Sequence, residues 1–213
     1  ATFAVFQLIT SLNQYRNDMK QHFAIAFAFM LTAFSPAAQA QKHCCGSKTA
    51  LPVYLDDTKN IEQRVEDALS RMTLDEKIGV IHAQSKFSAR GVPRLGLPDL
   101  WTDDGPHGVR PDVLWDEWVQ AGQSNDSCVA FPALTCLAAT WNPHMACLYG
   151  RSLGEEALYR GKDVLLGPGV NIYRTPLNGR NFEYMGEDPW LTSTMVVPYI
   201  KGLQSNGVAA CVK

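Results

Sequence analysis

Apolar positions recur at helical spacing from Ile61, where Ile61, Val65, Leu69 and Met72 are separated by charged residues. This spacing predicts an amphipathic helix with one buried face. Thr73-Leu74-Asp75-Glu76 then has the form of a capping box, which lets a hydroxyl and a carboxylate satisfy each other's unpaired backbone N–H groups. It predicts a second helix through Ile81. Arg90–Leu100, rich in Gly and Pro, reads as a connector that delivers a short strand near Leu100-Trp101. That strand runs into Thr102–Arg110 (TDDGPHGVR). Trp115–Asn125, polar apart from two tryptophans, reads as a surface excursion. Ala133–Thr140 is small and apolar. Pro143 suits a first helical position, and the helix His144–Arg160 is expected to bury one side through Met145, Leu148, Leu153 and Leu158. Gly161 ends it, and Asp163–Leu166 reads as a fully buried strand. Trp190–Gln204 is helical again, with Pro198 expected as a kink. Ser205-Asn206-Gly207 stops it, and Val208–Val212 forms another short strand ending on Lys213.

Helix, Gly-ended turn, short apolar strand and polar loop therefore alternate, which predicts an α/β fold with a parallel sheet covered by helices. In such sheets chemistry gathers beyond the carboxyl ends of the strands. The loop Gly167–Pro189 (GPGVNIYRTPLNGRNFEYMGEDP) is the longest candidate. It interleaves Arg174, Arg180, Glu183, Glu187 and Asp188 with Tyr173, Phe182 and Tyr184, and its Gly and Pro residues exclude a continuous helix or central strand. By composition it fits a structural loop and a site equally well. Its position tips the balance: Asp104 follows the first strand, Arg180 lies in the loop after the second, and Lys213 ends the third.

Before this globular region, Lys20 and His22 precede the apolar run Phe23–Phe34, which Ser35-Pro36 breaks before the small-x-small triplet Ala38-Gln39-Ala40. About a dozen apolar residues are too few to span a bilayer. The pattern is that of a secretory signal over residues 19–40, cleaved after Ala40, with Ala1–Asp18 an upstream extension outside the native protein. Nineteen basic and 21 acidic residues give a net charge of −2, which argues against a nucleic-acid or anionic-membrane partner. All six cysteines follow the proposed cleavage site, in chain that export would place where disulfides persist. Cys128 and Cys136 flank a short loop and could pair, although structural or free thiols suit all six. No C-x-x-C occurs and the five histidines are scattered, so neither metal nor cofactor is expected.

A carboxylate, a guanidinium and an ammonium around one cavity make a poor metal site, because two of the three are cations. No Gly-rich turn with a following G-K-[ST] offers a phosphate cradle. A polyhydroxylated substrate fits better. One carboxylate can accept from vicinal hydroxyls while Arg and Lys donate to their oxygens. Trp101, Tyr173, Phe182 and Tyr184 could add apolar faces against a sugar ring, and His107 either joins them or fixes its loop. Asp103 and Asp104 are neighbours, so in extended chain only one points inward.

TDDGPHGVR, the Gly167–Pro189 loop and the terminal Ala210-Cys211-Val212-Lys213 together resemble the N-terminal catalytic domain of family 3 glycoside hydrolases, over most of Ile61–Lys213. The resemblance implies an incomplete (β/α)8 TIM-type barrel, its N-terminal portion, in residues 61–213, with 41–60 as a lead-in. It implies that Asp104 holds sugar hydroxyls, that Arg180 lines the same subsite, and that Lys213 is the lysine of a Lys-His pair whose histidine lies past the chain's last residue. Glu183 and Arg174 are implied to support these groups. The aspartate nucleophile and glutamate acid/base of the retaining mechanism are expected beyond Lys213, so no catalytic residue is assigned within this chain and the fragment is expected to be inactive. The implied activity is that of a β-glucosidase releasing glucose from the non-reducing end of cello-oligosaccharides or other β-glucosides. A β-xylosidase and a non-catalytic sugar-binding homologue are the alternatives, and a β-N-acetylhexosaminidase is weaker.

Overall fold

The computed structural model describes residues 51–119, 121 and 127–213. The proposed signal and upstream extension, with Cys44 and Cys45, lie outside them, as does part of the excursion at Trp115–Asn125. Helix α1 (Ile61–Arg71) starts where Asn60 accepts a hydrogen bond from the Glu62 N–H at 2.8 Å, and it buries Arg64, Val65 and Ala68. The Arg64 guanidinium, 2% exposed, is satisfied by the Tyr54 carbonyl at 3.1 and 3.2 Å. Helix α2 (Leu74–Val80) carries the expected capping box: the Thr73 N–H donates to the Glu76 carboxylate at 2.8 Å, and the Glu76 N–H to the Thr73 hydroxyl at 3.2 Å. Arg94 bridges to the same carboxylate at 2.7 Å and holds it well below the usual range, at about 2.

Strands β1 (Ala83–Ser85), β2 (Ser88–Ala89), β3 (Leu100–Asp104), β4 (Val164–Leu166) and β5 (Ala209–Ala210) form one sheet in that spatial order. The expected parallel sheet is present as β3-β4-β5, with helices α3 (Leu134–Ala139), α4 (Pro143–Tyr159) and α5 (Pro189–Gln204) in the connections. The β1-β2 hairpin adds two antiparallel strands on the β3 side, a correction to the all-parallel expectation. These strands are too short and polar to carry an alternation signal.

Strand alternation splits the core. Leu100 and Val164 pack with Tyr54, Val65, Met72 and Leu97 on one side, and Leu165 packs with Leu153, Met195, Tyr199 and Leu203 on the other. Helix α4 buries a different face from the one predicted. Ala146, Tyr149, Gly150, Leu153, Gly154 and Ala157 are buried, while Met145, Leu148 and Leu158 stay exposed. The reason is backbone-to-backbone contact with α5. A Cβ on Gly150 would lie 2.1 Å from the Tyr199 carbonyl oxygen, and one on Gly202 would lie 2.1 Å from that of Cys147. Glycines set this interface, and the larger side chains are displaced from it. Helix α5 runs through Pro198. Cys128 and Cys136 are not joined by a disulfide, and no disulfide joins the described cysteines Cys128, Cys136, Cys147 and Cys211 to one another. Cys136 lines an apolar groove with Leu137, Met145 and Leu148. No helix among the described residues is long and apolar enough to cross a membrane.

Candidate functional site

Asp104 ends β3, and its carboxylate accepts from the Lys213 ammonium at 2.8 Å across 109 positions of sequence. Lys213 also reaches Glu183 at 3.2 Å. The other Glu183 oxygen is held by the Arg180 Nε–H. Asp104, Lys213, Glu183 and Arg180 therefore form one continuous chain of alternating charge, drawn from the ends of β3 and β5 and from the loop after β4. Glu183 lies in the single 3-10 turn Asn181–Glu183, which turns its carboxylate under the loop, 4% exposed. Burial alone would raise its pKa, but hydrogen bonds from Arg180 and Lys213 outweigh this and hold the carboxyl below its ordinary value. Lys213 loses some solvation, yet Asp104 and Glu183 raise its affinity for a proton. Arg180, 60% exposed at its side chain, is likewise held protonated by Glu183.

The backbone locks this arrangement. The Lys213 N–H donates to the Pro168 carbonyl at 3.0 Å, and the Val170 N–H to the Lys213 carbonyl at 2.8 Å. The start of the loop thus pairs with the end of β5 before the loop swings out and returns at the Ile172–Gly186 bridge. After Asp104 the chain reverses tightly. Gly105 has φ 150°, and a Cβ there would lie 1.6 Å from the Gly108 carbonyl oxygen, so only glycine fits. The Tyr199 hydroxyl donates to the Pro106 carbonyl at 2.8 Å and ties this turn to α5.

The aromatic candidates divide. Phe182 is 58% exposed and meets His107 edge-on, ring centres 5.8 Å apart. Tyr184 is buried, and the Tyr173 hydroxyl donates to its carbonyl at 2.9 Å. Trp101 lies on the opposite face of β3 from Asp104, against Trp115 and Lys162. Arg174 is exposed, and no hydrogen bond or ion pair holds it among the described residues. Glu187 is exposed, and Asp188 caps α5 through the Trp190 N–H at 2.8 Å.

Alternation sends Asp103 to the face away from Asp104, where it is 2% exposed. Lys162 lies 3.9 Å away and is bridged in turn to Asp112. Burial pushes the Asp103 carboxyl up to about 7, with Lys162 pulling against it. Asp103 Oδ1, His107 Nδ1 and Arg110 Nε are buried without a hydrogen-bond partner. Sequence reasoning did not single out Lys162 and Asp112. The available signal was a lysine set directly before a buried strand, which must find a carboxylate. No group of three or more His, Cys, Asp or Glu among the described residues could hold a metal ion.

The chain belongs to glycosyl hydrolase family 3: the family's N-terminal domain matches residues 92–213. A β-glucosidase of Bacteroides ovatus is 62% identical over 90% of this chain and 25% of its own length. The thermostable β-glucosidase B of Acetivibrio thermocellus is 41% identical over 70% of this chain and 20% of its own. Among solved structures, β-glucosidase 3B of Thermotoga neapolitana in complex with glucose has TM-score 0.61 and 37% identity, covering 70% of this chain and 22% of that one. The Kluyveromyces marxianus β-glucosidase in complex with glucose has TM-score 0.63 and 33% identity over 70% and 17%. This chain spans about a quarter of the length of the Bacteroides relative. Its fold is the N-terminal part of a TIM-barrel-like α/β domain, in agreement with the sequence expectation.

Proposed function

We propose that this chain forms the sugar-binding wall of an exported, retaining, exo-acting glycoside hydrolase, a β-glucosidase that releases glucose from the non-reducing end of cello-oligosaccharides or other β-glucosides. The observation that carries the reading is the convergence of Asp104, Lys213 and Arg180 from three strand-end positions around the buried Glu183. Asp104, 40% exposed at its side chain, keeps one carboxylate oxygen free of the Lys213 contact to accept from sugar hydroxyls. Arg180 and Lys213 are poised to donate to sugar oxygens, and Glu183 keeps the two cations together. Relatives named as β-glucosidases, two of them in complex with glucose, support the choice of sugar.

None of these carboxylates is assigned as nucleophile or general acid, because Asp104 and Glu183 are both committed to Lys213 as its ion-pair partners. The nucleophile and general acid are assigned to chain beyond Lys213, and residues 41–213 alone are inactive on this reading. The apolar run Phe23–Phe34 and Ala38-Gln39-Ala40 support export to the periplasm or medium with cleavage after Ala40.

A panel of aryl glycosides on the complete protein carrying this chain tests the assignment. The β-glucoside is expected to turn over fastest. Faster turnover of the β-xyloside would shift the reading to a β-xylosidase, and sugar binding without turnover would make it a binding homologue. Hydrolysis of an aryl β-glucoside by residues 41–213 would overturn the claim of inactivity. A mature N-terminus other than Gln41 would move or remove the cleavage site.

A further inference from the structure

Two exposed tryptophans stand beside the turn that follows Asp104. The excursion after β3 is closed on itself: the Leu114 N–H donates to the Val119 carbonyl at 2.9 Å, and the Ala121 N–H to that of Asp112 at 2.8 Å. Trp115 and Trp118 therefore sit at the tip of a pinned turn, 49% and 63% exposed. The base of the turn is anchored through the Asp112 carboxylate, which accepts from the buried Lys162. Its tip is tied to the β1-β2 hairpin, where the Lys86 N–H donates to the Trp115 carbonyl at 3.2 Å.

The Phe87 ring meets Trp118 edge-on, centres 5.7 Å apart, and Trp115 meets Trp101 in the same way at 6.2 Å. The Arg110 guanidinium lies over Phe87 and Trp118 at 5.4 and 5.6 Å, and the Lys86 ammonium over Trp118 at 5.0 Å. Cations over ring faces hold these aromatics in place. Rings fixed in this way lose little freedom when a ligand lands on them. Neither Trp115 nor Trp118 belongs to either core cluster of the described residues, so packing does not account for them.

The patch adjoins the candidate pocket on two sides. Arg110 follows Asp104 by six positions (110 − 104), across the fixed Gly105–Gly108 turn. The Phe87 carbonyl accepts from the Thr102 N–H at 2.8 Å and from the Thr102 hydroxyl at 3.2 Å. Thr102 shares a strand face with Asp104 and lies two residues before it, about 7 Å at a strand's rise. That separation is on the scale of one pyranose ring. Lys86 and Arg110 are matched by Asp116 and Glu117 at the tip, so the patch has no net sign to select an anion or a cation. A neutral polyhydroxylated ring suits it, with C–H groups on the aromatic faces and hydroxyls toward the exposed charges.

We propose that Phe87, Trp115 and Trp118 form an aromatic platform for the second sugar of a β-linked oligosaccharide, the unit that leaves from the glucose held by Asp104. This deepens the sugar-pocket reading given above and rests on it. The platform favours di- and oligosaccharides over glucosides whose leaving group is too small to reach it. The test is kcat/KM of the complete protein on cellobiose and on β-glucosyl fluoride, whose leaving group is a single atom, for wild type, W118A, W118F and W118L. In W118A the ratio of the cellobiose value to the fluoride value is expected to fall about tenfold, through KM for cellobiose, as one stacking surface is lost. W118F keeps a ring and recovers most of the ratio, whereas W118L keeps apolar bulk without a ring face and does not. An unchanged ratio in W118A, or a loss shared equally by the two substrates, would overturn the platform. If W118A does not fold, W118F and W118L decide, and equal ratios in these two overturn it. The glucose inhibition constant of D104N separates the two levels. Unchanged glucose affinity in D104N overturns the sugar-pocket reading itself, whereas lost affinity in D104N with an unchanged W118A ratio overturns the platform alone.

Discussion

Glu183 and Asp103 are both nearly sealed from solvent, 4% and 2% exposed, yet their carboxyl groups are driven in opposite directions. Glu183 is held below its ordinary value, and Asp103 is pushed up to about 7. Surface exposure is almost the same at the two sites, but Asp103 lies deeper among protein atoms and loses more of its solvation, which is part of the difference. Hydrogen bonding by cations is the other part. Glu183 receives one bond from Arg180 and one from Lys213, while Asp103 has Lys162 at 3.9 Å, shared with Asp112, and leaves Oδ1 unpaired. A buried carboxylate is stable as an anion only where donors reach it at bonding distance.

The sharpest way to break this comparison is Glu183→Ala, which leaves Lys213 and Arg180 facing each other without their shared anion. It should destabilise the protein by about 3 kcal/mol, the scale for stripping one partner from a buried ion pair, measured by urea unfolding at pH 7. A loss below about 1 kcal/mol would mean that solvent screens this site. Asp104→Asn comes next: glucose affinity should fall about a hundredfold, since hydrogen bonds to a charged group are each worth about 1.5–3 kcal/mol, with little change in stability because Asp104 is partly open to water.

Asp103→Asn should act in the opposite sense and raise stability by about 2 kcal/mol at pH 8, part of the linkage due to a carboxyl lifted to about 7. The sign follows from its raised native pKa. Between about pH 4 and pH 7 the native state keeps a proton that the unfolded chain has released, so wild-type stability falls as pH rises through that window and is level above it. The gain from Asp103→Asn should therefore vanish near pH 4. Glu183 titrates the other way. Its native pKa is depressed, so its contribution is present above the unfolded carboxylate value and fades as pH falls through the native one. Chemical denaturation of wild type, Glu183→Gln and Asp103→Asn across pH 4 to 8 would expose the two opposed slopes. The smallest effect should come from a site remote from both carboxylates: Thr73→Ala removes half of the capping box and should cost about 1 kcal/mol at any pH where Glu76 is ionised, a baseline for the larger shifts.

Local signals in the sequence were legible and distant ones were not. The capping box, the helix at Ile61 and the strand entering Asp104 each depend on neighbours within a few residues, and each formed where expected. The placement of Asp104, Arg180 and Lys213 at one end of the sheet followed from alternating helices and strands. The buried face of α4 was misread because the leucines suggested a core stripe, whereas Gly150, Gly154 and Gly202 let two backbones touch. Nothing in the local pattern could have shown that contact, since it depends on how α5 crosses. The Asp103 cluster was half legible: alternation required one aspartate of the pair to turn away from the pocket. Its partner Lys162, 59 positions later (162 − 103), could be found only once β4 was set beside β3.

The contact between Asp104 and Lys213 closes 109 positions of chain and forms only after β3, β4 and β5 are in parallel register. Each of those pairings must wait for an intervening helical segment, and loop-closure entropy makes such non-local contacts slow to form. The Asp104–Lys213 contact is consequently expected to be among the last of this segment to form, an order that pulsed hydrogen exchange during refolding would check. A ligand that bridges Asp104 and Lys213 would bind the finished register and no earlier species, stabilising it by mass action alone. For this segment, such a ligand would serve as a reporter of completed folding.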